Sequence, residues 1–229
     1  MILPMKKSIL WIVVLIIIGA IALFTTGGNA PEGVLKGVEE GAELVQAGSY
    51  KIDTEESTLM WSGRKPLVEN YVEAGTLDLA PSTITVGAEG AVSGTLNLDM
   101  TSITVTEIVV PGQEGALEKH LKSADFFNVA EYPTGSFVLK SVEPSADVET
   151  SFNYNITGDL TIKGITKEAS FPAVVYAKEG KLYAEAETEL DRSKWDIRFG
   201  SGSFFDDLGD NLIDDMFKVS FSLIADMVN

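Results

Sequence analysis

The chain has 229 residues, which suits one domain with an appendage, and its formal net charge is −17 at pH 7. Such an acidic surface repels nucleic acid, and it disfavours docking on anionic lipid headgroups through a basic face. The sequence has no cysteine, which excludes disulfides, thiolate metal sites and cysteine nucleophiles. Because it also has a single histidine, a conventional zinc or iron site is not expected.

An uninterrupted apolar run lies near the amino terminus. Residues 9–24, ILWIVVLIIIGAIALF, follow two lysines and would span roughly 24 Å as a helix, somewhat less than the ~30 Å hydrocarbon core of a bilayer. We predict that residues 1–30 form an uncleaved single-pass membrane anchor. The alternative is a cleaved signal peptide, since Gly28 and Ala30 offer a small-x-small site, and the protein would then be secreted. In both cases the residues beyond 30 are expected outside the cytoplasm, in the periplasm or at the cell surface.

The segment that follows differs in composition from the rest of the chain. Residues 31–48, PEGVLKGVEEGAELVQAG, are rich in glycine and glutamate, which is typical of a moderately flexible linker. We therefore expect three parts, with an anchor or signal at 1–30, a linker at 31–48 and one folded domain at 49–229.

Apolar and polar side chains alternate through most of the predicted domain. The apolar members are Val92, Leu96, Leu98 and Met100; Ile156, Leu160 and Ile162; Leu182, Ala184, Ala186 and Leu190; and Phe217, Val219, Phe221, Leu223 and Ala225. One apolar and one wet face are typical of antiparallel strands in a barrel or sandwich. Short turns at Lys163-Gly164, at Glu179-Gly180 and across residues 87–90 indicate hairpins.

A single segment of the predicted domain has a helical pattern. In residues 114–124, Leu117, Leu121 and Ala124 are spaced at i, i+4 and i+7. A helix this short suits a lid or plug across an opening rather than a crossover between parallel strands.

Small residues on the apolar strand faces would leave space inside the barrel. A barrel of about eight strands either fills its interior with side chains or keeps room for one small ligand. Ala184 and Ala186 indicate a cavity. The alternative is that they only accommodate the bulk of Trp61, Phe137 and Trp195 opposite.

The residues that carry catalysis or bind metals are sparse. His120 is the only histidine, and no serine lies in a nucleophile-elbow motif with which it could form a catalytic triad. A structural role at the end of the predicted helix is therefore favoured over a ligand contact. Five acids cluster in one loop: Asp206, Asp207, Asp210, Asp214 and Asp215. Their spacing differs from that of an EF-hand loop, so a solvated acidic loop is favoured over a calcium site.

Aromatic and basic residues near the end of the chain indicate a different kind of site. Arg192, Lys194 and Arg198 would share one side of a strand, where they could pair with a diphosphate or quinone-type headgroup. The alternative is that they form salt bridges with nearby aspartates. In a strand, the neighbours Phe204 and Phe205 would face opposite sides, so one of them should lie near solvent, lipid or a cavity mouth unless the backbone turns.

Three segments resemble the YceI family: residues 120–133, HLKSADFFNVAEYP; residues 157–172, TGDLTIKGITKEASFP; and residues 191–215, DRSKWDIRFGSGSFFDDLGDNLIDD. The resemblance extends from about residue 48 to the carboxyl terminus. It implies an extracytoplasmic, lipocalin-like barrel that holds a long isoprenoid or another lipid, with HLKSADFF helping to close the barrel. The sequence departs from the family at Glu73-Ala74-Gly75, where relatives often carry a histidine before the glycine.

Together these observations predict an all-β, antiparallel, lipocalin-like closed barrel of about eight strands with one short helix, preceded by an apolar membrane helix. The candidates for lipid contact are Trp61, Leu96, Leu98, Phe126, Phe127, Phe137, Leu160, Ile162, Phe171, Ala184, Ala186, Trp195, Phe199, Phe204, Phe205 and Phe221. The candidates for headgroup contact are Arg64, Arg192, Arg198 and His120.

The expected function is non-catalytic binding, sequestration or transport of an isoprenoid or related amphiphilic lipid. No cofactor is expected other than a bound isoprenoid or quinone-type lipid, and no metal and no nucleic-acid partner. The first alternative is an envelope scaffolding module whose barrel is filled by its own side chains. The second is a cofactor-free enzyme that acts on a lipid through Asp191 or His120.

Overall fold

The computed structural model describes residues 41–88, 90–145 and 151–228. The predicted anchor or signal at 1–30 and most of the predicted linker lie outside these residues. Within the described ranges, every helix is too short or too polar to cross a membrane.

The described chain folds into antiparallel strands with one α-helix. The strands are β1 (Gly48–Ile52), β2 (Thr58–Arg64), β3 (Val72–Val86), β4 (Val92–Glu107), β5 (Thr134–Pro144), β6 (Tyr154–Ile162), β7 (Ile165–Lys178), β8 (Lys181–Asp191) and β9 (Met216–Val228). The helix α1 (Glu114–Lys122) lies between β4 and β5. Two short 3₁₀ turns, Arg192–Trp195 and Gly209–Asn211, lie between β8 and β9.

The sheet closes on itself into a barrel. Neighbours pair in the order β1-β3-β2-β9-β8-β7-β6-β5-β4, and the further pairs β3–β4 and β1–β9 complete the ring. Both β1 and β2 pair with β3 and with β9, so that they occupy one strand position in two pieces. The barrel therefore has eight strand positions, as the sequence predicts.

Two hairpins have the turns expected from their sequences. In the β6–β7 turn, Lys163 has φ 50° and Gly164 has φ 70°, and in the β7–β8 turn Glu179 has φ 52° and Gly180 has φ 78°. Positive φ at both central residues is the type I′ geometry, whose twist matches that of the flanking strands. These turns set the register of β6, β7 and β8.

One end of the barrel is closed by buried side chains. Tyr50, Ile52, Ala173 and Ala225 are at most 2% exposed, and they come from β1, β7 and β9 where these strands meet the β7–β8 turn. We call this the closed end. The chain enters β1 at the closed end, and an isolated bridge between Glu43 and Ala177 holds the preceding segment there.

The expected continuation of a strand beyond Asp191 is wrong. The Asp191 carboxylate accepts the backbone N–H of Ser193 at 3.0 Å and its hydroxyl at 2.6 Å, which starts a 3₁₀ turn. Arg192 is consequently buried, whereas Lys194 and Arg198 are exposed. The three basic residues therefore do not share one side.

Candidate functional site

The barrel contains an apolar cavity of about 340 Å³. It opens at the end opposite to the closed end, because the side chains that line it there are partly exposed, with Phe199 at 42% and the Arg64 side chain at 62%. We call this end the mouth. The wall is made of inward-facing side chains of the strands and of α1, and it includes Leu59, Leu77, Leu79, Leu96, Leu98, Met100, Ile103, Leu160, Ile162, Val219 and Leu223.

Three aromatic rings form the bottom of the cavity. The Phe137 and Phe171 centroids are 5.6 Å apart, and the Phe171 and Phe221 centroids are 5.5 Å apart. These rings come from β5, β7 and β9, so each contact reaches over an intervening strand. We call Phe137, Phe171 and Phe221 the aromatic floor, because the inward-facing residues beyond them on β5 and β7 do not line the cavity, and on β9 the lining continues only to Leu223.

Small residues make room for the rings in the wall. A Cβ built on Gly158 of β6 would lie 2.5 Å from the Phe137 ring, and a Cβ built on Gly75 of β3 would lie 2.7 Å from the Trp61 ring. Because real Cβ atoms do not approach that closely, each glycine allows a ring to lie against the strand. The ring can then widen the apolar wall without filling the lumen.

Most predicted lipid-contact residues line the cavity, namely Trp61, Leu96, Leu98, Phe126, Phe127, Phe137, Leu160, Ile162, Phe171, Phe199 and Phe221. Of the headgroup candidates, Arg64, Arg192 and His120 line it at the mouth. The remaining candidates lie outside the lining drawn from the described residues: Ala184, Ala186, Trp195, Phe204, Phe205 and Arg198.

The two alanines are buried but do not form the wall. Ala186 pairs with Phe221 across β8 and β9, and the rings of Phe171 and Phe221 meet over β8. Ala184 pairs with Leu223 in the same way. Their small size therefore accommodates larger neighbours, which is the alternative interpretation of the sequence, although the neighbours differ from the expected ones.

Trp195 and Arg198 contact other groups of the protein and not the cavity. Trp195 is 2% exposed, and its indole N–H donates to the Leu160 carbonyl at 3.2 Å. The Arg198 side chain is exposed, forms an ion pair with Asp196 at 2.6 Å and lies over the Phe204 ring at 5.0 Å. Phe204 and Phe205 are 39% and 51% exposed in the loop beside the mouth.

Polar side chains surround the mouth. Arg64 Nε lies 2.7 Å from an oxygen of Asp214, and Lys65 Nζ lies 4.9 Å from the centre of the Tyr71 ring. The Tyr71 hydroxyl donates to Glu73 at 2.8 Å. Burial and this hydrogen bond raise the pKa of Tyr71 to about 12, so it remains a neutral donor. The mouth thus combines apolar rings with groups able to contact a polar headgroup.

Arg192 holds together the loop between β8 and β9. Its guanidinium donates to the carbonyls of Asp214 (3.0 Å), Ile197 (3.1 Å), Phe199 (2.8 Å) and Ile213 (3.0 Å). Burial lowers the pKa of Arg192 from its ordinary value, and the neighbouring carboxylates oppose that shift. With its donors used by the backbone, Arg192 serves mainly to position Phe199 and Ile213, which line the cavity.

Asp215 is the acidic partner of this buried arginine. Its Oδ1 lies 3.3 Å from Arg192 Nη2, and the Ser203 hydroxyl donates to its other oxygen at 2.6 Å. Burial by itself would raise the pKa of Asp215. Hydrogen bonds from Ser201 and Ser203 together with the charge of Arg192 outweigh burial and leave the pKa below its ordinary value.

The helix α1 covers part of the mouth. Leu117, His120 and Leu121 line the cavity from this helix, and the Glu118 carboxylate accepts the backbone N–H of Val105 in β4 at 3.0 Å. The His120 ring contacts Phe199 edge-on, with centroids 4.5 Å apart. His120 therefore packs among aromatic rings at the mouth, where it has both a structural contact and a face toward the cavity.

The five aspartates of the acidic loop have different surroundings. Asp214 and Asp215 pair with arginines, whereas Asp206, Asp207 and Asp210 are exposed. Among the residues that the structure describes, no group of three or more His, Cys, Asp or Glu side chains is arranged to hold a metal ion.

Several cavity residues were missing from the sequence-based candidates. Leu77 and Leu79 alternate with polar residues along β3, and the same alternation could have identified them. The Arg64–Asp214 pair joins positions 150 residues apart, and no local pattern signals it. For Trp61, which was among the candidates, the sequence did not indicate that its indole N–H lacks a hydrogen-bond partner within the described structure.

Comparisons with known proteins agree with this architecture. The crystal structure of Burkholderia cenocepacia BcnA is 19% identical, with a TM-score of 0.57 over 76% of this chain and 98% of the other. A polyisoprenoid binding domain from Saccharophagus degradans, implicated in plant cell wall breakdown, is 12% identical, with a TM-score of 0.56 over 80% of this chain and 100% of the other. At such low identity these similarities establish the fold alone.

Sequence relatives match over shorter segments. Protein YceI of Escherichia coli O17:K52:H18 is 37% identical over 75 residues, which cover 33% of this chain and 37% of the relative. A UPF0312 protein of Staphylococcus aureus (strain USA300) is 39% identical over 85 residues, which cover 35% of this chain and 44% of the relative. The chain thus aligns with less than half of the length of these curated relatives. The model of the YceI-like domain matches residues 50–225, most of the chain, and the protein therefore belongs to the YceI-like family.

Proposed function

We propose that the barrel binds a long isoprenoid or related amphiphilic lipid, with the hydrocarbon tail in the cavity and the headgroup at the mouth. The observation that carries this proposal is the apolar cavity of about 340 Å³ that opens to solvent at one end. Its size lies near the lower bound of roughly 300 Å³ for ligand pockets. The description of the Saccharophagus degradans domain as polyisoprenoid binding supports the same class of guest.

The energetics favour a long tail over a short one. Burying one methylene group gains about 0.8 kcal/mol, so five buried carbons gain roughly 4 kcal/mol. Association costs at least about 4 kcal/mol in lost translational and rotational freedom. A guest with only a few carbons therefore gains almost nothing, whereas each further buried carbon adds directly to affinity.

The mouth favours a guest with a polar end. Arg64 and Lys65 provide positive charge beside the opening, and the unpaired indole N–H of Trp61 provides a donor in the wall. Leaving a buried donor unpaired costs about 1–3 kcal/mol, so a guest oxygen that accepts it regains that energy. These groups fit a diphosphate, hydroxyl or quinone-type headgroup.

Sequestration or transport needs no reaction on the guest. Asp191, one of the two residues considered for catalysis, caps the 3₁₀ turn with its carboxylate, and His120 packs between aromatic rings. We therefore propose binding without chemical change, in a domain outside the cytoplasm. The alternative of a self-filled scaffolding barrel fits the closed end, but it does not account for the cavity above the aromatic floor.

Mass spectrometry of organic extracts tests this proposal. Val219→Trp should place a bulky ring in the cavity from β9, and we expect extracts of this variant to lose at least about nine-tenths of the lipid found with the unchanged protein. Lys218→Trp is the matched control, because Lys218 precedes Val219 on β9 and is exposed. We expect the control to retain the lipid.

Two results would contradict the proposal. One is an unchanged protein that yields no lipid after expression and still binds no added fluorescent isoprenoid. The other is equal retention by Val219→Trp and Lys218→Trp at equal thermal stability. A guest recovered with altered chemical structure would favour the enzyme alternative, which loss of His120 or Asp191 would then test.

A further inference from the structure

Large apolar side chains are exposed around the mouth. We define the apolar rim as Leu67, Val109, Val110, Phe199, Phe204 and Phe205, which are 39% to 61% exposed. They come from three separate segments, between β2 and β3, between β4 and α1, and between β8 and β9. Residues of the first and third segments line the cavity, and the second segment connects β4 with α1, which contribute the lining residues Ile103 and Leu117, so all three lie at the mouth. Clusters of exposed apolar residues in a soluble domain mark interaction surfaces.

The apolar rim is continuous with the interior of the barrel. Phe199 is both 42% exposed and part of the cavity lining, and its ring lies 5.4 Å from that of buried Phe126. The two rings therefore give an apolar connection between the rim and the cavity. This continuity matters only for a partner that itself contains hydrocarbon chains.

The charges at the mouth indicate which kind of surface can bind the apolar rim. Arg64 pairs with Asp214 and Arg198 pairs with Asp196, whereas Asp206 and Asp207 beside the rim are exposed. A second copy would bring the two acidic loops together, and an anionic surface would meet the net negative charge of the chain. A bilayer with zwitterionic headgroups avoids both repulsions and accepts aromatic side chains at its interface.

We propose that the apolar rim docks the mouth on a lipid bilayer by inserting its aromatic and aliphatic side chains among the headgroups. The proposal rests on the proposed function, since docking would let a lipid enter the cavity from the membrane. Attachment depends on apolar insertion and not on a basic face. It therefore persists at high salt and does not require anionic lipid.

The length of chain before the barrel permits this orientation. The 18 residues between Phe24 and Glu43 can extend over about 60 Å, and the barrel is roughly 35–40 Å tall if β3 has the usual rise and tilt. If residues 9–24 lie in the membrane, as the sequence predicts, this length of chain is enough to connect the bilayer with the closed end while the mouth faces the same bilayer.

Site-specific fluorescence on the full chain tests the proposal. Because the chain has no cysteine, a single introduced thiol can be labelled selectively with the environment-sensitive dye NBD. Phe205→Cys and Val110→Cys place the dye on the rim. Val138→Cys on the barrel side and Val228→Cys at the closed end are matched controls, since these residues are 43% and 45% exposed. The protein is reconstituted in phosphatidylcholine vesicles with and without brominated lipid.

We expect brominated lipid to quench both rim labels by at least about half and to leave both control labels unchanged, at low and high salt alike. In the Val110 variant, changing Phe204 and Phe205 to Ser should lower the ratio of docked to undocked protein about tenfold, because two rings lose their contact with the bilayer. Val138→Ser in the same background should leave that ratio unchanged.

Three results would overturn the docking proposal. They are equal quenching of rim and control labels, quenching confined to Val228, and a rim signal that rises with protein concentration without vesicles, which would indicate a second copy. Lipid extracts of the same samples separate the two proposals. A loaded barrel with unquenched rim labels refutes docking alone. An empty barrel that also binds no added fluorescent isoprenoid, with quenched rim labels, supports docking while it refutes the proposed function.

Discussion

Arg192 shows how one residue in the cavity lining can hold its neighbours in place through their backbone. Its side chain is 5% exposed and donates to four backbone carbonyls of the loop that carries Phe199 and Ile213. The planar guanidinium presents several donors at once, which lysine cannot reproduce. The sequence predicts Arg192 as a headgroup candidate on a continuing strand, whereas the Asp191 cap turns the chain there and buries Arg192.

We expect Arg192→Met to lower the free energy of unfolding by about 3–5 kcal/mol, because the change leaves Asp215 and several buried carbonyls without their partner. Urea denaturation measures the loss. Arg64→Met is the control, since the Arg64 side chain is 62% exposed and its ion pair should contribute at most about 1 kcal/mol. Similar losses in the two variants would show that burial of the arginine is unimportant.

The Asp215 carboxylate should give the stability a specific dependence on pH. Its pKa is lower in the folded state than the ordinary value of 3.8 that it regains on unfolding. Its stabilising contribution is therefore fully present above the unfolded pKa and is lost as the pH falls through the folded pKa. We expect Asp215→Asn to be less stable than the unchanged protein at pH 7, and the difference to shrink below pH 3.8.

Urea denaturation at a series of pH values from 7 to 2.5 measures this difference. The exposed Asp210→Asn is the control, and it should show little difference from the unchanged protein over the whole range. A gap between Asp215→Asn and the unchanged protein that stays constant with pH would contradict the assigned pKa direction.

At the scale of single elements, α1 is attached to the barrel by few contacts. Leu121 is its buried residue, and Glu118 accepts the N–H of Val105 in β4. The N-cap residue Gln113 makes no side-chain capping bond, so the helix depends on these tertiary contacts. The sequence predicts both the position of α1 and its place across an opening, although the helix ends two residues earlier than expected.

We expect Glu118→Ala to loosen α1 selectively. Loss of the bond to Val105 removes about 1–2 kcal/mol, so the amide hydrogens of α1 should exchange roughly five to thirty times faster while those of β6 and β7 remain protected. Hydrogen exchange measured by NMR gives these rates. Lys119→Ala is the control, because Lys119 is exposed on the same helix, and equal acceleration in the two variants would contradict the role of Glu118.

For the whole molecule, alternation and turn residues were sufficient to predict an antiparallel barrel of eight positions. Period-two patterns give the inward face of each strand directly, and Lys163-Gly164 and Glu179-Gly180 set two of the hairpins. The division of one position between β1 and β2 was not predicted. At the break between them, the Ser57 hydroxyl donates to the Ile224 carbonyl and accepts the Ile224 N–H, a contact between distant parts of the chain that no local pattern signals.

The candidate site was predictable only in part, because strand periodicity does not report contacts between distant parts of the chain. Inward-facing aromatics such as Phe137 and Phe171 follow from strand periodicity, and they line the cavity. Phe204 and Phe205 lie in an irregular loop, where periodicity gives no direction, and they are exposed beside the mouth. Pairs such as Arg64 and Asp214 arise only when β2 lies beside β9, which follows Asp214 in the chain.

The aromatic floor limits the depth of the cavity. Phe137 and Phe171 are the last lining residues toward the closed end on β5 and β7, and on β9 the lining continues past Phe221 only to Leu223. For the isoprenoid guest that we propose, we expect affinity to rise with each added unit until the tail fills this depth. Longer tails should then bind no more tightly, because every further unit remains outside the cavity.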